Sequence, residues 1–74
     1  MLVTILSDSQ DPTDKARDHK LEGNKLFRLG QFEKAIERYT LAINECPKSE
    51  SADLSTFYQN RAAAYEQLVS QVQH

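Results

Sequence analysis

The segment KLEGNKLFRLGQ, residues 20–31, carries both glycines of the 74-residue chain. Gly23 lies within a run of helix-forming residues, where a glycine costs about 1 kcal/mol relative to alanine. A chain this short has little stability to lose, so the position needs a packing reason. A small residue where two antiparallel helices cross lets their backbones come close. The sequence therefore predicts that Gly23 gives up helix propensity for close packing, and that Gly30 makes a tight turn.

Helix signals extend on both sides of this segment. Upstream, Asp11 is placed to cap a helix with Pro12 at its first position, and Thr13 is the rival cap. Downstream, apolar residues spaced three and four apart indicate a second helix, which Pro47 ends. Because very few residues separate the two helices, they must fold back on each other as an antiparallel hairpin. The apolar stripe consists of Phe32, Ala35, Ile36, Tyr39, Ala42 and Ile43.

A polar connection then leads to a third helix, with Ser51 or Asp53 as its cap. The sequence predicts an all-α fold of three helices and no strand. Its organisation is a loose leader over 1–10, a helical region over 11–68 and a tail over 69–74. The three helices are expected at about 12–29, 31–46 and 53–69.

Composition excludes several classes of function. Nine basic and eleven acidic residues are mixed along the chain, without the clustered basic face that nucleic-acid binding requires. The single cysteine, Cys46, allows neither an intrachain disulfide nor a cysteine-based metal site, and we expect it to be a small buried apolar group. Neither His19 nor His74 has a metal-ligating neighbour at a useful spacing, so no metal or cofactor is expected. No histidine lies beside a nucleophile and no glycine-rich phosphate loop is present, so we expect no enzyme.

The residue types and their spacing resemble the tetratricopeptide repeat (TPR), a helix-turn-helix unit of about 34 residues. Ala16 takes the first position of the unit, and His19 departs from the pattern because the family prefers a large aromatic residue there. A second, incomplete unit follows, with Val69 where the turn glycine is expected. The resemblance implies a TPR solenoid of antiparallel helix hairpins, about one and a half repeats long. The signature residues are Gly23, Leu26, Gly30, Phe32, Ala35, Tyr39, Ala42 and Pro47 in the first unit, and Ala62 and Tyr65 in the second.

The resemblance is greatest to TPR receptors of mitochondrial protein import and to related co-chaperones. It depends on the segments EGNKLFRLGQFEKAIERYTLAI and DLSTFYQNRAAAYEQL, and it leaves the tail over 69–74 without a counterpart. It implies a protein-interaction module that docks cytosolic heat-shock chaperones, with preproteins or import-machinery subunits as further partners. The cytosolic face of the mitochondrial outer membrane is the implied location. The apolar run over 2–6 is too short to span a membrane, so a cytoplasmic location fits the residues equally well.

In chaperone-binding members of the family, a carboxylate clamp grips a peptide tail that ends Glu-Glu-Val-Asp. The resemblance places a partial clamp at Lys20, Asn24 and Asn60. Lys20 and Asn24 are four residues apart and share a helix face, and ammonium and amide donors both suit a carboxylate. The alternatives are a solvated face for Lys20 and Asn24, and an interhelix hydrogen bond for Asn60. Arg61 is interpreted as structural.

The pattern ends within the second unit, so the sequence is interpreted as a truncated repeat region. Because repeats bury their cores against their neighbours, the third helix should expose apolar groups, among them Tyr65 and Leu68. The alternative function is therefore assembly: a homodimer through this open helical end, or pairing with another repeat protein, without tail binding.

Overall fold

A computed structural model describes residues 11–72 of the chain. It contains three α-helices in sequence order, α1 (Pro12–Arg28), α2 (Phe32–Glu45) and α3 (Ser51–Val72), and no strand within 11–72. The all-α, three-helix prediction is therefore confirmed. The leader predicted over 1–10 and the last two residues of the tail, 73–74, lie outside the described residues.

Helix α1 is capped at its N-terminus by the side chain of Asp11. Asp11 Oδ1 accepts hydrogen bonds from the backbone N–H groups of Thr13, at 2.7 Å, and Asp14, at 3.3 Å. Two of the N–H groups that a helix start leaves unpaired are thereby satisfied. Asp11, and not Thr13, is thus the cap.

A glycine turn ends α1 and starts α2. Gly30 has φ +80, a left-handed conformation that glycine adopts without a Cβ penalty. The Gly30 N–H donates to the Phe27 carbonyl, and the Gln31 N–H donates to the Leu26 carbonyl. These two bonds form a Schellman motif, which reverses the chain within three residues.

The third helix is longer than the range 53–69 expected from the sequence. It begins at Ser51, because the Leu54 N–H bonds the Glu50 carbonyl at 3.0 Å, so Glu50 is the capping residue. Asp53 instead forms an ion pair with Arg17 of α1, at 3.0 Å. At its other end the helix continues to Val72, because no glycine or proline follows the second unit to stop it.

Helix α2 contacts both neighbours and carries half of the buried apolar residues described. One buried cluster joins all three helices and the residue after α2: Ala16, Ala42, Cys46 and Phe57. A second joins α2 to α3: Ala35, Ile36, Tyr39 and Ala64. Leu68 packs against this second cluster and is half-buried, so the expectation that it would be exposed is wrong. Burial, together with the negative charges of Asp53 and Glu50, raises the pKa of the Cys46 thiol and keeps it neutral.

The crossing of α1 and α2 is built on one close contact. A Cβ placed on Gly23 would lie 2.6 Å from Tyr39 Cε1 and 2.8 Å from Tyr39 Cδ1. Tyr39 is only 1% exposed, so any shift of its ring to make room for a Cβ would disturb the packing around it. The absence of a side chain at Gly23 is therefore what lets the ring lie against the α1 backbone.

We predict that Gly23→Ala destabilises the fold although alanine is the better helix former. The gain of about 1 kcal/mol in helix propensity is opposed by an overpacking cost of about 1–3 kcal/mol. Urea denaturation followed by circular dichroism measures the net free energy of unfolding. The control is Glu22→Ala, an exposed site on the same helix, expected to change that free energy by less than about 0.5 kcal/mol. A stabilised Gly23→Ala variant would contradict the packing account.

Candidate functional site

The side chains of Asn24 and Asn60, both singled out from the sequence, meet at one point between the helices. The Tyr39 hydroxyl donates to Asn24 Oδ1 at 2.6 Å. Asn60 Nδ2 donates to the same oxygen at 3.5 Å. An amide oxygen has two lone pairs, so these two donors satisfy it. The orientation of the Asn24 amide is thereby fixed, and its NH₂ group has no acceptor among residues 11–72.

The Tyr39 hydroxyl is suited to this donor role. Burial raises the pKa of Tyr39 above its ordinary value, and the positive charge of Arg28 lowers it by a smaller amount. The hydroxyl therefore keeps its proton at neutral pH and donates to Asn24. Tyr39 was predicted from the sequence only as a repeat signature residue. Its hydroxyl also orients the Asn24 amide.

A cavity of about 280 Å³ opens beside these amides. All three helices contribute to its wall. The lining combines two amides, two aromatic rings, one guanidinium and one methyl group: Asn24, Phe27, Arg28, Tyr39, Asn60 and Ala63. Phe27 is held in place by an edge-to-face contact with Phe32, whose ring centroid lies 5.1 Å away.

Lys20, the third residue predicted for the site, does not line this cavity. It lies one helical turn before Asn24, and side chains on a helix lean toward its N-terminus, away from the cavity. The cation that does line the cavity is Arg28, one turn after Asn24. Arg28 was not predicted for this site: its spacing of four residues puts it on the same helix face as Asn24, but that spacing alone does not indicate a cavity.

Other cations nearby have structural partners. Arg17 pairs with Asp53. The hydrogen bond to the Asp53 carboxylate raises the pKa of Arg17 most, and the negative charge of Asp53 raises it further. Arg61 donates to Thr40 Oγ1 at 3.1 Å and lies over the Tyr58 ring, 5.3 Å from its centroid. This geometry agrees with the structural interpretation of Arg61.

His19, the departure from the repeat pattern, also has a partner that joins two helices. Its Nε2 lies 3.3 Å from Glu45 Oε2 at the end of α2. Within residues 11–72 no group of three or more His, Cys, Asp or Glu side chains could hold a metal ion. No helix in the same range has the length and hydropathy to cross a membrane.

The two signature residues of the second unit lie on the outer face of α3. Ala62 is exposed and Tyr65 is 49% exposed. Ala64, which the sequence did not single out, is the alanine of this run that is fully buried. The face of α3 that packs against α2 is therefore a different one from the face that carries Ala62 and Tyr65.

A helix hairpin closed over a glycine–tyrosine contact, with a third helix stacked on it, is a TPR-like structure. The chain is 60% identical over 55 residues to mitochondrial import receptor subunit TOM70 of Rattus norvegicus and 58% identical over 55 residues to that of Homo sapiens. It is 36% identical over 66 residues to small glutamine-rich tetratricopeptide repeat-containing protein 2 of Saccharomyces cerevisiae. The homologues of the chain are thus TOM70 and TPR-containing proteins.

These similarities cover most of this chain but only a small part of each relative. The aligned segments cover 74% of this chain for the two TOM70 sequences and 89% for the yeast protein. They cover only 9% of TOM70 and 18% of the yeast protein. No protein-family model matches the chain.

We predict that Tyr39→Phe lowers the free energy of unfolding by about 1 kcal/mol at pH 7, because a buried hydrogen bond is lost. The pKa of Tyr39 is raised in the folded state. Its contribution is therefore complete below the ordinary tyrosine pKa of about 10 and is lost as the pH rises through the folded-state pKa. Urea denaturation from pH 7 to 11 should show the difference between the two proteins shrinking above about pH 10.

The matched control for this experiment is Tyr65→Phe, which removes a half-exposed hydroxyl. It should change the free energy of unfolding by less than about 0.5 kcal/mol. Equal losses in Tyr39→Phe and Tyr65→Phe would contradict the role assigned to the Tyr39 hydroxyl.

Proposed function

We propose that the chain is a protein-interaction module whose cavity binds the C-terminal carboxylate of a partner's peptide tail. The observation that carries this proposal is the convergence of Asn24 and Asn60 beside the cavity. The Asn24 oxygen is occupied by two donors, which leaves its NH₂ as a donor for an incoming acceptor. Capture of a C-terminal carboxylate by such donors is an established mode of peptide recognition.

Binding at this site involves positioning and no covalent chemistry. A carboxylate accepts strong hydrogen bonds from amide, ammonium and guanidinium donors, and these bonds strengthen where water is excluded. The Phe27 ring and the Ala63 methyl group supply an apolar wall for the adjoining part of the peptide. In this scheme Lys20 acts at longer range, by attracting an acidic tail from one turn away.

The partners we propose are cytosolic heat-shock chaperones with tails ending Glu-Glu-Val-Asp, with preproteins and import-machinery subunits as further partners. The similarity to TOM70, which is by name a mitochondrial import receptor subunit, supports this choice. It also supports a location at the mitochondrial outer membrane. The repeat region over 11–68 is the part of the chain that we propose to act as the module.

We predict that a fluorescent peptide ending Glu-Glu-Val-Asp binds with a Kd on the order of 100 μM, or about −5 kcal/mol. The same peptide with an amidated C-terminus should bind at least about tenfold more weakly, because a charge-assisted hydrogen bond is lost. Fluorescence anisotropy measures both. Asn24→Ala and Asn60→Ala should weaken binding of the free acid, and Lys20→Ala should weaken it less and mainly at low salt.

The control for the asparagine variants is Asn44→Ala, because Asn44 is exposed on α2 and lies outside the cavity. It should leave the Kd unchanged. Equal binding of the acid and the amide by a folded, helical protein would contradict tail binding.

A second candidate function, self-assembly, is favoured by the outer face of α3. Tyr58, Tyr65 and Val69 are 50%, 49% and 53% exposed. Their spacing of seven and four residues places them on one side of the helix, with the exposed Ala62 between them. A second copy of the chain, packed on this face, would cover them around a shared two-fold axis.

For this second function we predict a mass in sedimentation equilibrium that rises from 8.5 kDa toward twice that value as concentration increases. Tyr65→Lys should abolish the rise, because a charge would be buried in the interface. Lys20→Glu should weaken tail binding, most strongly at low salt, and leave self-association unchanged. A constant monomer mass at all concentrations would exclude the dimer.

A further inference from the structure

Arg28 is the one cationic side chain among the residues that line the cavity. It forms no ion pair and no side-chain hydrogen bond with any residue of the described range. This distinguishes it from Arg17, which pairs with Asp53, and from Arg61, which bonds Thr40. A guanidinium at the wall of a cavity, with its donors unused, is suited to an anionic ligand.

The position of Arg28 brings its charge close to the amide network. It lies four residues after Asn24, so the two side chains are neighbours on one face of α1. The effect of its charge reaches across to α2, where it lowers the pKa of Tyr39 against the larger effect of burial. Arg28 and Asn24 therefore line the same cavity.

We propose that Arg28 is a further ligand-binding residue of this cavity, and that it pairs with a carboxylate of the bound peptide beside the Asn24 amide. This inference rests on the proposed function of the site. The planar guanidinium can hold a carboxylate through two parallel hydrogen bonds, and the Asn24 NH₂ can donate a third. Lysine offers one point charge and cannot reproduce this geometry, so Arg28→Lys should restore only part of the affinity.

A purely structural role for Arg28 makes a different prediction. A cation in the last turn of a helix interacts favourably with the partial negative charge at the helix C-terminus. Loss of that interaction would lower the stability of the fold and would leave peptide binding by the folded protein unchanged. Binding measured on folded variants therefore separates the two roles.

The experiment compares wild type, Arg28→Gln, Arg28→Lys and the control Lys25→Gln by fluorescence anisotropy. Lys25→Gln removes the same charge from a residue three positions before Arg28, which is exposed and does not line the cavity. We expect Kd to rise about tenfold in Arg28→Gln, by less in Arg28→Lys, and not at all in Lys25→Gln. An unchanged Kd in Arg28→Gln, or an equal rise in Lys25→Gln, would overturn the proposal.

Two modified peptides identify which carboxylate Arg28 holds. One has an amidated C-terminus, and the other replaces both glutamates by glutamine. If Arg28 holds the terminal carboxylate, Arg28→Gln should not raise the Kd of the amidated peptide. If Arg28 holds a glutamate side chain, Arg28→Gln should not raise the Kd of the glutamine-substituted peptide.

A titration with N-acetyl-aspartate, followed by NMR, separates failure of this proposal from failure of the proposed function. We expect shifts at the Arg28 Nε–H and the Asn24 side-chain NH₂ of wild type, with the Asn24 shift lost in Arg28→Gln. If no tail peptide binds but these shifts occur, tail binding is wrong and the Arg28 site stands. If neither the Arg28 nor the Asn24 signal moves, the Arg28 proposal is wrong.

Discussion

The contact between Gly23 and the Tyr39 ring sets how closely α1 and α2 cross. A Cβ at position 23 would meet the ring at 2.6 Å, so the two helices can cross this closely only over a glycine. The same contact holds the Tyr39 hydroxyl 2.6 Å from Asn24 Oδ1. Packing and recognition therefore share one side chain: the ring fills the crossing, and its hydroxyl fixes an amide at the edge of the cavity. This sharing explains how a fold with a small core can hold a polar side chain in one orientation.

The third helix completes the site by packing on α2. Phe57 and Ala64 are fully buried against it, and this burial places Asn60 within 3.5 Å of Asn24. The ion pair between Arg17 and Asp53, which also ties α3 to the hairpin, is exposed to solvent, and such pairs contribute little to stability. The position of Asn60 therefore follows mainly from apolar packing. The outer face of the same helix keeps its tyrosines exposed, so one helix presents both the proposed peptide site and the proposed assembly surface.

Much of the fold could be predicted from the sequence, because its signals are local. The cap at Asp11, the turn at Gly30 and the apolar stripe of α2 each act through a few neighbouring residues. The extension of α3 to Val72 could not be predicted from the repeat pattern, because that pattern expects a turn where this chain has no helix breaker. The residues that line the cavity could be predicted from the sequence only in part. Asn24 and Asn60, which were predicted from the repeat register, line the cavity, whereas Lys20, predicted from the same register, does not. Arg28 was missed because an arginine in the last turn of a helix is ordinary, and only the position of α3 shows that a cavity lies beside it.

The packing contact at Gly23 thus also orients the Asn24 amide. The most direct test is the heteronuclear NOE of the Asn24 side-chain nitrogen, measured in wild type and in Gly23→Ala under conditions where both are folded. We expect a rigid side-chain amide in wild type and a mobile one in the variant, because a displaced Tyr39 ring can no longer reach Asn24 Oδ1. An Asn24 amide that is equally rigid in both proteins would show that its orientation does not depend on the contact between Gly23 and Tyr39.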